Sequence, residues 1–266
     1  MFCENVGFEE HYITYATYKN YIRKFKINNF VETEYMIEKQ RMIKDEEELS
    51  NIIKACNITD NCFKYIISYI KPGMTEKQIA KEIGEYYSER CDGISFDTIV
   101  ASGENTSKPH ATPGNRKIEN SDIITIDMGC IVNGYCSDMT RTIFVGEPTN
   151  EMKKVYNLVL SCQKAAEEQY KDGASTKQIS LMVENNFKLY GYDLIHALGH
   201  GVGLEIHEPP VISYKSDSLL RTNMVVTNEP GIYIPGKFGV RIEDTVQITK
   251  FGCINLTNSE KNYIII

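Results

Sequence analysis

Lys71-Pro-Gly-Met-Thr-Glu-Lys-Gln-Ile79 returns a hundred residues later as Lys171-Asp-Gly-Ala-Ser-Thr-Lys-Gln-Ile179. Five of the nine positions are identical, and Thr75 matches Ser175 in kind. Thr75 and Gln78 have the spacing of a capping box, in which hydroxyl and amide side chains satisfy each other's backbone donors at a helix start. Each copy therefore reads as a turn entering a capped helix. Ahead of the first copy, Lys44-Asp-Glu-Glu-Glu48 opens a long helical pattern, with acids in the first turn where the helix dipole favours them. Ile52, Ile53, Cys56, Phe63, Ile66, Ile67 and Ile70 recur near helical spacing until Pro72-Gly73 stops the run. The helix after Thr75 extends to about Cys91, and helical patterns over 151–170 and 176–190 repeat the pair. Strand-like runs at 98–101, 123–132 and 135–145 follow the first pair, and runs at 224–227 and 239–249 follow the second. Helix, helix and paired strands thus occur twice, which predicts an α+β domain with internal pseudo-two-fold symmetry. Two unrelated helices sharing common start residues would leave the same echo, so the repeat alone does not close the question.

The chain has 266 residues, enough for one large domain or two small ones, and enough to bury a full core without metal or disulfide support. Asp and Glu number 36 against 29 Lys and Arg, with no dense basic run, which argues against nucleic acid as a partner. Eight scattered cysteines include no Cys-x-x-Cys pair and read as free thiols of a reducing cytosol. The start, Met1-Phe-Cys-Glu-Asn5, lacks a basic head and an apolar run, and no stretch reaches the apolar length of a membrane span. A cytoplasmic protein with no membrane partner is expected. Residues 1–44 differ from the rest, with tyrosines at 12, 15, 18, 21 and 35 and little periodicity.

In Ile123-Ile-Thr-Ile-Asp127-Met-Gly-Cys-Ile-Val-Asn133-Gly134-Tyr-Cys-Ser-Asp138-Met-Thr-Arg-Thr-Ile-Phe144, Asn-Gly separates two β-prone runs. That dipeptide is the strongest short hairpin signal, because both turn residues take positive φ. Closing the turn there sets Val132 opposite Tyr135 and Gly129 opposite Asp138. Asp127, Gly129 and Asp138 then share one face, with Asp127 diagonal to Asp138. Gly129 is expected to leave open space beside the two acids. Two like charges so close call for a cation between them or a retained proton. Solvated strand-end acids would look the same in sequence, and a register slip of one residue would part them. Cys130 and Cys136 are nearby but not beside Asp127 and read as packing residues.

Three further segments add weight. His196-Ala-Leu-Gly-His200 and His207-Glu208-Pro209 place three of the five histidines inside twelve residues, and His110 lies in Lys108-Pro-His-Ala-Thr-Pro-Gly114. Gly199, Gly201 and Gly203 disfavour a helical zinc pair at His196 and His200 and favour extended backbone close to a site. Glu229-Pro-Gly231 follows an apolar run, and Arg241 and Glu243 share a face of an alternating strand while Val240, Ile242 and Asp244 point away. Asp127, Asp138, Glu229 and Glu243 supply about four negative charges, which two divalent cations would balance. Oxygen ligands with one imidazole suit manganese, and also iron or cobalt, better than zinc.

In order and context, Asp127, Asp138, His200, Glu229 and Glu243 resemble the five metal ligands of the pita-bread metallopeptidases, the family of methionine aminopeptidase, aminopeptidase P and prolidase. The resemblance spans about 44–249. Lys108-Pro-His110-Ala-Thr-Pro-Gly, Ser137-Asp-Met-Thr-Arg-Thr, His207-Glu-Pro-Pro and Gly239-Val-Arg241-Ile-Glu243-Asp resemble its proline-directed branch. It implies a pita-bread (creatinase/aminopeptidase) fold over 45–258, an amino-terminal segment 1–44 as a truncated remnant of the separate domain such relatives carry, and a tail at 259–266. It also implies a centre of two divalent metals, manganese foremost and cobalt, iron or zinc as alternatives. Asp138 and Glu243 would bridge, Asp127 would chelate one metal, and His200 with Glu229 would complete the other.

The implied reaction is attack of a metal-bridged hydroxide on the bond between a first residue and a following proline, as in an Xaa-Pro aminopeptidase or dipeptidase. His207 and His110 would hydrogen-bond the reacting carbonyl, Glu229 would shuttle the proton, and His196 would line the substrate pocket. Arg241 and Tyr233 would steady the carboxylates. The substrate partner is a peptide with proline second, and a homodimer stays open. His196-Ala-Leu-Gly departs from the commoner His-Gly-Thr-Gly, and Asn228 stands where an aliphatic residue is usual. Methionine aminopeptidase is the close alternative, and a non-catalytic pita-bread binding module the alternative of another class.

Overall fold

Asp45 and Thr75 begin the two helices of the first half, and each does so through a complete capping box. The Asp45 carboxylate accepts from the Glu48 amide at 2.9 Å while Glu48 accepts from the Asp45 amide at 2.7 Å. Thr75 and Gln78 exchange the same pair of bonds. These helices, in a computed structural model that describes residues 4–25 and 29–266, belong to the larger of two compact units, which divide between Arg41 and Met42.

The smaller unit contains β1 (Asn5–Phe8), α1 (Tyr15–Lys24), β2 (Asn29–Glu32) and α2 (Met36–Arg41), with β1 and β2 paired in parallel. Tyr18 packs on Phe8 at 4.9 Å between ring centres and Phe8 lies 6.1 Å from Phe30, while Tyr12, Tyr15, Tyr21 and Tyr35 are exposed.

The larger unit starts with α3 (Glu46–Tyr69) and α4 (Glu76–Ser88). Strands β3 (Gly93–Ile94), β4 (Ile99–Ser102), β5 (Ile123–Met128), β6 (Cys130–Val132), β7 (Tyr135–Cys136) and β8 (Met139–Phe144) follow, in two three-stranded sheets ordered β4-β5-β8 and β3-β6-β7. The second half has α5 (Asn150–Glu167), α6 (Thr176–Leu189) and strands β9 (Gly199–Gly201), β10 (Glu208–Ile212), β11 (Val225–Asn228), β12 (Gly231–Ile234), β13 (Phe238–Arg241), β14 (Asp244–Ile248) and β15 (Cys253–Asn255). Five of these form a sheet ordered β10-β9-β11-β14-β15, and β12 pairs with β13. Each half buries its own apolar layer between helices and sheet: Ile66, Ile83, Tyr87, Ile124 and Ile126 in one, Val159, Val183, Phe187, Val226 and Val246 in the other.

The sequence echo is a structural repeat. Gly73 and Gly173 both take positive φ, and their amides donate to Ile118 and Leu220 carbonyls at 2.8 Å each. Ile118 and Leu220 return bonds to Met74 and Ala174, and the amides of Glu76 and Thr176 donate to Arg116 and Ser218. The same turn thus locks the same helix start to the same crossing strand twice.

The hairpin forms about Asn133-Gly134, both at positive φ, and Val132 faces Tyr135 as the turn chemistry predicts. The register runs unshifted to Asp127 opposite Thr140. Two expectations need correction. Gly129 does not leave open space: an added Cβ would overlap the Ser137 carbonyl oxygen and crowd the Ser95 hydroxyl, so glycine is there for close backbone approach. The run 239–249 is not one strand either. It breaks at Ile242-Glu243, where the chain leaves β12 for β11, and the Glu243 amide donates instead to Thr140 across in the hairpin. Residues 264–266 lie along the free side of the end of β8: the Phe144 amide donates to the Ile264 carbonyl and the Ile266 amide donates to the Phe144 carbonyl, both at 2.9 Å.

Among the described residues, seven cysteines are free thiols, five of them buried; Cys3 lies outside the described residues. Burial pushes the Cys62 and Cys130 thiols up to about 12. No helix of the described residues is long and apolar enough to cross a membrane.

Gly129→Ala should destabilise the protein by about 1–3 kcal/mol, since the methyl group has no space to enter. Urea unfolding measures this, and an unchanged midpoint would contradict the close approach.

Candidate metal centre

Strand ends deliver the acids. Asp127 is the penultimate residue of β5, Asp138 sits in the gap between β7 and β8, Glu229 follows β11, and Glu243 occupies the break before β14. With His200 on β9, all five side chains line one cavity of about 710 Å³. One donor atom each from Asp138, His200 and Glu243 lie within 4.8 Å of one another, the spacing of groups that can share a metal ion. His200 Nε2 stands 3.3 Å from Glu229 Oε1 and 3.5 Å from Asp138 Oδ2. Its Nδ1 lies 3.0 Å from the Gly201 carbonyl. A proton on Nδ1 donated to that carbonyl turns Nε2 toward the acids, where it carries a proton in the metal-free site and offers its lone pair when a cation displaces that proton.

The electrostatics fit a cation. Burial, then the neighbouring Glu243 and Asp127, hold the Asp138 carboxyl well above the usual range. Burial, then Glu229 and Asp127, do the same to Glu243. Asp127 is also raised, by burial against the opposing pull of Arg241. Glu229 goes the other way: burial raises it, but His200, His196 and Arg241 together outweigh that and bring it to about 2. Asp127 Oδ1 is buried with no hydrogen-bond partner, an orphan acceptor beside three other acids. Donor set, spacing and excess negative charge all match a site for divalent metal.

The remaining sequence-predicted residues surround this group. Arg241 Nη2 donates to Asp127 Oδ2 at 2.7 Å, and Nη1 donates to the Tyr233 hydroxyl at 2.8 Å. Tyr233 lies 3.0 Å from His196 Nε2, and His196 Nδ1 lies 2.7 Å from the Ala197 carbonyl. Proton placement follows from these partners: His196 donates through Nδ1, and Tyr233 donates to Nε2. Burial keeps the His196 pKa low, consistent with a neutral ring in that chain. His207 packs its ring 4.3 Å from that of His200, and both His207 and His110 line the cavity from its exposed side.

Sequence reading missed the hydroxyls that orient the acids. Thr140 donates to Glu243 Oε2 at 2.6 Å and accepts from Arg241 Nε at 3.1 Å. Thr227 donates to Glu229 Oε1 at 3.1 Å and accepts from the His200 amide at 3.0 Å. Both were within reach of a period-2 argument, because each lies two residues from an acid on the same face. Lys44 and Glu208, a buried ion pair 164 positions apart, offered no sequence signal.

Asp138 and Glu243 bind protons more readily here than in an unfolded chain. In metal-free protein they therefore favour folding at low pH and lose that contribution as pH rises through their raised pKa values. A divalent cation competes for the same oxygens. Added manganese should raise the melting temperature clearly at about pH 8, by the equivalent of about 2.7 kcal/mol at a hundredfold excess over Kd, and much less at about pH 5. Equal gains at both values would argue against binding by these acids.

Comparison with known proteins agrees with this geometry. Residues 50–250 match metallopeptidase family M24, and residues 2–43 match the creatinase/prolidase N-terminal domain. The uncharacterized peptidase YqhT of Bacillus subtilis is 39% identical over 267 residues, covering 99% of this chain and 75% of the relative. Among solved structures, an Xaa-Pro dipeptidase from Bacillus anthracis superposes with a TM-score of 0.95 at 38% identity, covering 99% of this chain and 75% of that one. A prolidase from Pyrococcus furiosus gives 0.90 at 40% identity, with coverage of 97% and 77%. With the fold matched from end to end of the larger unit and a metal-type donor set at its centre, the chain belongs to metallopeptidase family M24.

Proposed function

We propose that the chain is a dinuclear-metal exopeptidase that hydrolyses the bond between a first residue and a following proline. The observation that carries this reading is the convergence of Asp127, Asp138, His200, Glu229 and Glu243 in one cavity. Similarity to the Xaa-Pro dipeptidase from Bacillus anthracis and the prolidase from Pyrococcus furiosus supports the proline preference.

Asp138 and Glu243 would serve both metals, Asp127 would hold one of them, and His200 with Glu229 would hold the other. Manganese is the assigned metal, from four carboxylates and one imidazole. When bound, such ions lower the pKa of water and polarise a carbonyl. The chain's own residues then set the rest. The Glu229 carboxylate takes the proton of the attacking water and delivers it to the leaving proline nitrogen. The imidazoles of His207 and His110 hydrogen-bond the oxygen that gains charge as the carbonyl becomes tetrahedral. His196, locked by Tyr233 and Ala197, forms a fixed wall for the first residue of the substrate. Arg241, itself held by the Tyr233 hydroxyl, donates to Asp127 and so fixes that carboxylate.

Purified protein with manganese should release the first amino acid from Ala-Pro peptides and leave Met-Ala-Ser intact. Hydrolysis of Met-Ala-Ser in preference would instead indicate a methionine aminopeptidase, and no hydrolysis with manganese, cobalt, iron or zinc would end the proposal. Bound metal near zero after reconstitution would point to a binding module. A series from Xaa-Pro dipeptides to longer peptides separates dipeptidase from aminopeptidase.

His200→Ala should cut metal occupancy. His207→Ala should retain the metal and lower kcat by about a hundredfold or more, as for loss of a transition-state donor. Metal analysis alongside kinetics tests the pair, and an emptied site in His207→Ala would refute the role given to His207.

A further inference from the structure

The two copies of the repeated helix start differ at their sixth position, where the first has Glu76 and the second Thr176. Thr176 reaches only the adjacent crossing segment, its hydroxyl bonding to Ser216 Oγ and the Ser218 carbonyl at 3.0 Å each. Glu76 reaches further. It is fully buried at 0% exposure, and its Oε1 accepts from the amide and the hydroxyl of Ser102, both at 2.7 Å. Oε1 also accepts from the Asn105 side chain at 3.1 Å, and Oε2 accepts from the Gly114 amide at 2.8 Å. A Cβ at Gly114 would fall 3.2 Å from Oε2, so the backbone there comes close to the acid.

Ser102, Asn105 and Gly114 are the two feet of one loop, and its crest carries Pro109, His110 and Ala111 into the cavity wall. The crest is tied from the opposite side, where Arg241 Nη1 donates to the Pro109 carbonyl at 3.0 Å and the Gly239 amide donates to Thr106 Oγ1 at 2.8 Å. The His110 side chain itself is exposed, so the loop backbone, not packing around the ring, determines where the imidazole sits. Glu76 does not line the cavity.

We infer that Glu76 is a positioning residue for His110: a buried carboxylate that draws both feet of the loop together and thereby sets the imidazole at the reacting carbonyl. The inference rests on the role proposed above for His110. Hydrogen bonds to an ionised acceptor are about twice as strong as neutral ones, and four donors converge on this one acid. Glutamine has nearly the same shape, but it replaces one acceptor oxygen with a donor that faces other donors, and the feet of the loop must part. A displacement near 1 Å at a catalytic group is enough to cost up to about a hundredfold in rate.

The test uses the full-length, manganese-loaded protein and an Ala-Pro peptide. Wild type is compared with Glu76→Gln, His110→Ala, the double variant, and Thr75→Ala, which weakens the same helix start without touching the loop. Glu76→Gln should lower kcat by about tenfold or more, with KM within about twofold and metal content unchanged. Thr75→Ala should lower the melting temperature yet keep kcat. In the His110→Ala background, Glu76→Gln should change kcat by less than about twofold, because the group it positions is already gone.

An undiminished kcat in Glu76→Gln, or an equal loss with and without His110, would overturn the inference while leaving the proposed reaction standing. Wild-type turnover in His110→Ala would overturn the role of His110 and this inference with it. Should Glu76→Gln not fold, Asn105→Ala removes one donor from the loop side and is held to the same non-additivity.

Discussion

Four carboxylates face one another in a single cavity with one guanidinium and one imidazole close enough to answer them, and the architecture is arranged around that excess of negative charge. Arg241 answers Asp127, and His200 answers Glu229. Asp138 and Glu243 are buried beside further acids, and desolvation first, then repulsion by those neighbours, makes them hold their protons firmly. An apolar interior would never gather such a group unless something compensated for it. The fold supplies donors from behind, through Thr140 and Thr227, and leaves the opposite side of the acids open to the cavity. A divalent cation is the remaining element of that balance.

Delivering four acids to one point also explains where the strands fail. The chain breaks its ladder at Gly129, at Ser137-Asp138 and at Ile242-Glu243, each within two residues of an acid in the cavity. A β-strand continued through those positions would spend its backbone groups on sheet neighbours. Interrupted, it can turn a carboxylate out of the sheet plane while the lost backbone bonds are made elsewhere, as when the Glu243 amide finds Thr140. Behind the break, Arg141 is almost fully buried and donates to the Glu243 carbonyl and to Asp244, whose other oxygen accepts from Lys261 at 2.6 Å. Arg141 and the neighbouring Lys261 pull the buried Asp244 carboxyl below its ordinary pKa despite its desolvation, as expected of a buried acid that is fully paired.

The pseudo-two-fold repeat accounts for the scaffold and its exceptions account for the site. Equivalent turns at Gly73 and Gly173 secure equivalent helices, and the central strands β5 and β11 each bring one acid to the cavity, Asp127 and Glu229. Symmetry ends where chemistry requires different groups. The first half contributes the His110 loop, braced by Glu76, and the second contributes His196, His200 and His207.

Much of this was legible in local sequence because local rules govern it. The acidic run at Lys44–Glu48 and the capping box at Thr75 mark helix starts through local contacts, and Asn133-Gly134 sets a register that the period of two then carries six residues back to Asp127. Glycines about His200 excluded a helix by backbone freedom alone. What fills the space beside a residue is another matter. Gly129 is visible as a missing side chain, but that Ser95 and Ser137 occupy the place comes only from segments folded against it. The break at Glu243 was likewise hidden, because alternation continues through Arg241-Ile-Glu243 whether the partner strand is one or two. The chain itself determined which residues alternate, cap and turn, since those follow from neighbours a few bonds away. Tertiary structure alone decided that Arg241 answers Asp127 and Thr140 answers Glu243, since those partners are brought together across a hundred residues by packing that no local pattern encodes.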